Sequence, residues 1–293
     1  MEQVRLIDVT PRDGLQDASG YVPVQEKLAL VEGLLGAGIR SIEVTAFVRP
    51  AWIPMLADAD ELVGQLGTLD GDWIALVPNE KGLERAAAAH IGTVTLVASA
   101  SESHNRSNLN HSRQDTLAAL TRVTARAHQF GMRVKGAIST AFTCPFEGEV
   151  PVKDMMMIAE AYLQMGVDVL GVADTMGTAT PLAIKERIKE LNAIRASVPL
   201  SLHLHDRFGW GLANVSMAYE YGVEEYETAL GGLGGCPYAP GAAGNLSTEK
   251  LVQFFTAQGI NLPVELEALA QVRDHLFSVI NQRMPAPFAR ELS

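Results

Sequence analysis

Val198-Pro199-Leu200-Ser201-Leu202-His203-Leu204-His205-Asp206 is the stretch on which the reading of this chain turns. The apolar run after the proline-marked turn reads as a short buried strand. Side chains of a strand alternate faces with period two. His203 and His205 therefore share one face, and Leu204 takes the other. Two imidazoles side by side at a strand end form half of a metal site. An isolated His-x-His is also met as a core histidine beside a surface one, so the rest of the chain has to decide.

Working outward, strand-like and helix-like segments alternate along the 293 residues. Strands are expected at 6–9, 41–45, 73–77, 93–97, 134–139, 169–173, 200–205 and 226–230. Helical patterns lie between them. Leu28, Val31 and Leu35 share a face of the first, and Leu117, Leu120, Ala127 and Phe130 mark a face of another that starts near residue 114. Gly38-Ile39-Arg40, Gly131-Met132-Arg133, Gly166-Val167-Asp168 and Gly222-Val223-Glu224 each follow a helix and precede a strand. Glycine just past a helix end takes the left-handed conformation cheaply, so these junctions mark a repeating βα unit. Eight such units fit a (β/α)8 TIM barrel. A doubly wound open sheet is the competing architecture, but no Gly-x-Gly-x-x-Gly follows the first strand. Residues 264–280 add a C-terminal helix, with Leu266, Leu269, Val272 and Leu276 on one face, to cap the barrel bottom or serve in a dimer. No linker or low-complexity segment interrupts the chain, so a single domain over 1–293 is expected.

The composition, 47% hydrophobic and 19% charged, supports a large core. The net charge of −11 argues against a nucleic-acid partner, which needs a basic surface. It leaves room for a phosphorylated small molecule in a local basic pocket. No apolar run approaches a membrane span. The chain enters a strand at once, so no targeting segment is expected. Two cysteines, Cys144 and Cys236, do not make a disulfide framework and point to a reducing, cytoplasmic setting.

Catalytic groups of a barrel gather at the C-terminal strand ends and in the loops beyond them. The first strand runs into Thr10-Pro11-Arg12-Asp13-Gly14-Leu15-Gln16. Glu43, between Ile42 and Val44, faces opposite to its apolar neighbours. The sixth strand ends in Asp174-Thr175 and the seventh in the histidine pair. The eighth runs into Gly231-Gly232-Leu233-Gly234-Gly235-Cys236-Pro237-Tyr238, then Gly241, Gly244 and Asn245. Polar groups thus cluster by strand position, which favours the metal reading of the histidines. Asp13, His203, His205 and the amide oxygen of Asn245 make a mixed oxygen and nitrogen set with open positions. Such a set suits Mg2+ or Mn2+ better than structural zinc, which closes its shell with thiolates.

Pro11-Arg12-Asp13-Gly14-Leu15-Gln16, His203-Leu204-His205-Asp206, Gly234-Gly235-Cys236-Pro237-Tyr238 and Gly244-Asn245-Leu246 together resemble the hydroxymethylglutaryl-CoA lyase family. That family sits in a metal-dependent barrel superfamily with isopropylmalate synthase and related condensing enzymes. The resemblance runs through Phe47-Val48, Pro50, Trp52, Pro54, Pro78-Asn79, Cys144-Pro145, Glu147-Gly148 and Asp174-Thr175. The Cys-Pro-Tyr loop separates the lyases from the condensing enzymes. The resemblance implies cleavage of 3-hydroxy-3-methylglutaryl-CoA to acetyl-CoA and acetoacetate, within leucine breakdown, and by family habit a homodimer.

For the residues, the resemblance implies Asp13 as a ligand that also helps take a proton, with His203 as the other acid–base candidate. Arg12 is suited to a thioester enolate, being permanently charged with directional donors. Cys236 implies a proton donor on a loop that closes over the site. Glu43 and Asp174 are expected to hold Arg12 and the ligands, and Gln16 to touch substrate. Cys144 is read as an incidental buried thiol. His90, His104, His111, His128 and His275 are assigned no chemistry.

The chain departs from the family at Arg207-Phe208-Gly209-Trp210, where Thr-Tyr-Gly-Gln is usual, and at Asp17, Ala51 and Ala229-Leu230-Gly231. Arg207 and Trp210 are expected near the site, where they would reshape the acyl pocket. A lyase for a related 3-hydroxy-3-substituted acyl-CoA is therefore the close alternative. A 4-hydroxy-2-oxoacid aldolase or condensing enzyme is opposed by the glycine-flanked Cys236. A biotin-dependent carboxyltransferase would call for a lysine beside these strand ends. A metal-binding barrel without activity is opposed by the joint presence of the ligands, Arg12 and Cys236.

Overall fold

The computed structural model describes residues 4–18, 20–67, 69–235 and 244–280. Its centre is a closed barrel of parallel strands: β1 (Arg5–Asp8), β2 (Ser41–Ala46), β3 (Asp72–Leu76), β4 (Thr93–Ser99), β5 (Arg133–Ser139), β6 (Val169–Asp174), β7 (Leu200–Leu204) and β8 (Glu225–Thr228). Each strand pairs with its sequence neighbours, and β8 closes onto β1 from Arg5↔Glu225 to Asp8↔Thr228. The (β/α)8 architecture is the expected one. The last strand stops at Thr228 rather than at 230, because Leu230–Gly232 tightens into a 3₁₀ turn and Ala229 makes only an isolated bridge to Ser247.

Strand side chains divide by face. Ile42, Val44, Val94, Leu96, Leu202 and Leu204 are buried, on the alternate positions that face the surrounding helices. The intervening positions carry polar groups into the barrel, among them Glu43, Thr95, Lys135 and Glu227, all buried. Around the strands lie α1 (Val24–Gly36), α2 (Ala59–Leu66), α3 (Glu80–Ala88), α4 (Glu102–Leu109), α5 (Arg113–Gln129), α6 (Val152–Met165), α7 (Pro181–Ile194), α8 (Gly211–Glu220), α9 (Thr248–Ala257) and α10 (Leu266–Ile280). Among the described residues no helix is long and apolar enough to cross a membrane.

The helix-to-strand glycines do what their spacing predicts. Gly38, Gly131, Gly166 and Gly222 have φ of 97°, 74°, 79° and 79°. At Gly38 space adds to conformation, since a Cβ there would stand 2.0 Å from the Pro263 carbonyl oxygen. Two helices differ from expectation. Phe130 does not join the buried face of α5. It lies just past the helix end, 45% exposed under the Arg126 guanidinium, and Leu120, Val123 and Ala127 form the buried stripe. The C-terminal helix lines the outer wall beside α1 rather than capping the bottom. Val272 sits against Gly33, and Phe277 against Gly231 beyond β8.

One buried ion pair positions a loop of the site. Lys27 of α1 is fully buried and donates to both oxygens of Asp58 at 2.7 Å and to the Met55 carbonyl. It thereby pins the segment after β2, which carries Val48, Trp52 and Ile53 to the cavity described below.

Candidate active site

The first loop is shaped by its own backbone. The Val9 carbonyl accepts from both Asp13 N (2.8 Å) and Gly14 N (3.1 Å), making a turn wider than an α-helical one. Wide turns of this kind recur at functional sites. Asp8, fully buried, accepts from Thr10 N and from the Thr248 hydroxyl, each at 2.8 Å. Thr10 Oγ1 in turn accepts from Leu230 N at 2.8 Å, which ties the first loop to the last. Arg12 and Asp13 are thereby held at the barrel mouth.

Asp13, His203 and His205 converge there, with ligand atoms all within 4.8 Å of one another. The two Nε2 atoms are 3.1 Å apart, and His203 Nε2 is 3.9 Å from Asp13 Oδ2. Ligands at right angles on a small divalent ion, with bonds of about 2.1 Å, stand about 3 Å apart. Asn245 bridges to His205 through the backbone. Its Nδ2 donates to Asp13 Oδ2 (2.8 Å) and to the Leu233 carbonyl (2.7 Å). That leaves Asn245 Oδ1 buried with no hydrogen-bond partner among the described residues. An unpaired buried acceptor costs about 1–3 kcal/mol, and a cation beside it would supply the missing partner. The donor set and this orphaned oxygen both fit a hard divalent ion.

Charge balances the cluster. Burial opposes ionisation of Asp13, but Arg12 and the two histidines hold its carboxyl below the usual range. Burial likewise opposes a charged His203, yet the Glu227 and Asp13 carboxylates raise its pKa. Arg12 spans two acids. Its Nε donates to Glu43 Oε2 at 2.5 Å and its Nη1 to Asp13 Oδ1. Glu43, fully buried, takes a further bond from the Thr95 hydroxyl at 2.8 Å.

Glu227 and Lys135 belong to the site beyond the residues that the sequence singles out. Glu227 Oε2 lies 2.9 Å from His203 Nδ1, and its other oxygen accepts from Lys135 Nζ at 2.6 Å and Ser201 Oγ at 3.2 Å. Burial disfavours the Glu227 carboxylate, but Lys135 and His203 hold its pKa well below the usual value. The signal that singles out Glu43 was present at both: each is a charged residue at an alternating position of an expected strand. Their partnership lies across the barrel, and no local pattern records it.

Other expectations fare differently. Gln16 lines the cavity with Arg12 and Asp13. Asp174 does not bond to Arg12 or to a ligand side chain. Its oxygens accept from Thr178 N (3.2 Å) and Ala179 N (2.8 Å), so it shapes the loop after β6. Burial lifts its pKa to about 6. Arg207 is exposed. Phe208 and Trp210, both exposed, pack against each other with ring centroids 5.0 Å apart and planes tilted by 47°. Arg207 and Trp210, which the sequence places near the site, thus form no part of the described cavity lining. Cys144 is buried and accepts from the Ser101 hydroxyl. Cys236, Pro237, Tyr238 and Gly241 lie outside the described residues. The flank of that loop is anchored: Gly231 N donates to Glu249 Oε2 at 3.0 Å, and Gly235 reaches the cavity.

The cavity runs from this cluster across the barrel mouth. Val48, Ile53, Leu76, Val97 and Val172 form apolar walls, and Trp52, half exposed, stands beside it. Such a fold and site define a barrel enzyme with a candidate divalent-metal centre at its C-terminal strand ends. The HMGL-like family model matches residues 3–276. Hydroxymethylglutaryl-CoA lyase YngG of Bacillus subtilis (strain 168) is 35% identical over 286 residues, 97% of this chain and 96% of its own length. The hydroxymethylglutaryl-CoA lyase of Pseudomonas mevalonii is 38% identical over 274 residues, 93% of this chain and 91% of its own. Among solved structures, an HMG-CoA lyase from Acinetobacter baumannii, in complex with coenzyme A and 3-methylmalate, superposes with TM-score 0.92 at 36% identity. It covers 99% of this chain, and 95% of that chain is matched. The chain belongs to the HMGL-like family, and with it to the lyases that act on carbon–carbon bonds.

Proposed function

We propose that this chain is a divalent-metal-dependent lyase that cleaves 3-hydroxy-3-methylglutaryl-CoA to acetyl-CoA and acetoacetate. The observation that carries the reading is the convergence of Asp13, His203 and His205 within 4.8 Å, beside Arg12, at one end of an apolar cavity. The relatives named hydroxymethylglutaryl-CoA lyase and the related structure holding coenzyme A support the acyl-CoA substrate.

In the retro-Claisen step the C3 hydroxyl loses its proton and its oxygen becomes the ketone of acetoacetate. The C2–C3 bond breaks, and its electron pair passes to the thioester enolate. A proton then adds to C2 and completes acetyl-CoA. Asp13, whose carboxylate keeps further lone pairs as a ligand, takes the hydroxyl proton. Arg12 faces the enolate oxygen with fixed charge, held in place by Glu43. Gln16 contacts the substrate. Cys236 delivers the proton to C2, and Gly235, its neighbour in the chain, lines the cavity. Asp13, His203, His205 and Asn245 Oδ1 would hold Mg2+ or Mn2+, which would supply Lewis-acid polarisation of the substrate. The enzyme acts as one catalytic domain, in a cytoplasmic homodimer.

The test is acetyl-CoA release from (S)-3-hydroxy-3-methylglutaryl-CoA with Mg2+, with EDTA and in Cys236→Ser. Turnover that requires metal and falls sharply in the variant supports the reading. No turnover by protein that binds Mn2+ tightly rejects this substrate, and sedimentation at monomer mass rejects the dimer.

A further inference from the structure

His104 is the third residue of α4, and its ring is 1% exposed. Its Nδ1 lies 2.7 Å from Ser99 Oγ, which lies 2.7 Å from Ser139 Oγ. Its Nε2 is buried with no hydrogen-bond partner among the described residues. Burial pushes the imidazole pKa down to about 4, so the ring is neutral at pH 7. One nitrogen of a neutral imidazole donates and the other accepts. The two serine hydroxyls can turn to suit either tautomer, so Nε2 can play either part. Buried polar atoms without partners are rare in native folds, and each calls for an explanation.

The explanation lies in where His104 sits. It lines the same cavity as Arg12, Asp13 and His203, and so does Ser139. The metal-ligand cluster gathers at the ends of β1 and β7, whereas Ser139 ends β5 and His104 lies in α4, just beyond β4, on the other side of the mouth. Small side chains line the cavity as well: Val97, Ala137, Gly171 and Ala173. Space lined by small apolar residues, and bordered by a histidine that carries an unpaired polar atom, suits a short branch with a polar atom of its own. A hydroxyl is the group that either tautomer of His104 can pair with.

We propose that His104 is a specificity-determining residue whose Nε2 pairs with a hydroxyl on the C3 branch of the acyl-CoA. The chain then cleaves 3-hydroxy-3-(hydroxyalkyl)glutaryl-CoA esters as well as the methyl compound. The inference rests on the lyase reading and extends its substrate class. The bond changes are the same: C2–C3 breaks, acetyl-CoA leaves, and the hydroxymethyl substrate yields 4-hydroxy-3-oxobutanoate.

The experiment compares kcat/KM for the methyl, hydroxymethyl and 2-hydroxyethyl substrates in wild type, His104→Phe and His104→Gln, each loaded with Mn2+. A site that hydrogen-bonds a substrate hydroxyl discriminates through that bond. The hydroxylated-to-methyl ratio is expected to fall about tenfold or more in His104→Phe and to recover in part in His104→Gln. Mn2+ affinity should stay at the wild-type level. If His104→Phe does not fold, the ratio in His104→Asn decides, because its shorter amide leaves the branch hydroxyl unpaired without apolar bulk. A ratio unchanged by the substitutions overturns the proposal, and so does turnover of the methyl compound alone. No cleavage of any of the three by wild type sinks the lyase reading, and this inference with it.

Discussion

The carboxylate of Glu227 engages Nδ1 of His203 at 2.9 Å while its other oxygen is held by Lys135. With Nδ1–H donating to the carboxylate, the lone pair of Nε2 is left for the ligand cluster. Partners of this kind fix tautomer and ring orientation, and losing one weakens metal binding about 10- to 100-fold. Glu227→Gln should raise the Mn2+ dissociation constant by that factor in a titration followed by calorimetry. Wild-type affinity in the variant would reduce Glu227 to a structural partner of Lys135.

Arg12 touches both Glu43 and Asp13. If its charge meets the enolate oxygen, Arg12→Gln should lower kcat about 10²- to 10³-fold with a smaller change in KM. Steady-state kinetics with saturating metal would read this directly. An equal rise in KM at constant kcat would assign Arg12 to ground-state binding instead.

Glu43 has no exposed surface, and its oxygens are taken by Arg12 and Thr95. Breaking a buried pair by removing one partner costs about 3–5 kcal/mol. Glu43→Ala should lose stability on that scale in urea unfolding at pH 7. A loss below about 1 kcal/mol would mean that water reaches the Arg12 guanidinium.

Asp8 sits beneath the site with its pKa raised by burial to about 6, against hydrogen bonds from Thr10 and Thr248 that lower it. A carboxyl whose folded pKa lies above its unfolded value contributes stability that is full below about pH 4 and lost as pH rises through about 6. The loss across that window is about 3 kcal/mol. Asp8→Asn should remove this slope, so the stability difference between wild type and variant shifts by that amount between pH 4 and pH 7. Parallel stability curves from urea unfolding would contradict it.

Much of the site was legible because its rules are local. A strand alternates faces, so His203 and His205 had to point together, and their Nε2 atoms lie 3.1 Å apart. Glu43 stood out as a charge between Ile42 and Val44, and the same rule applied to Lys135 and Glu227 would have found them. Proximity in a loop does not fix direction, and Asp174 and the Arg207–Trp210 segment show it. The Asp174 carboxylate turns back to the backbone of its own loop, and Trp210, partly exposed, caps the start of α8 without lining the described cavity.

The succession of βα units, the glycine junctions between them and the polar residues that follow each strand are written in the sequence. These depend on backbone periodicity and turn chemistry within a few residues. Which inward groups meet emerges only when the barrel closes. Lys135 reaches Glu227 across 92 residues, and Asn245 reaches Asp13 across 232. His104 joins the cavity only because α4 folds over the end of β4. Such contacts follow from barrel closure and strand register, which are set by the packing of the whole chain rather than by any one segment.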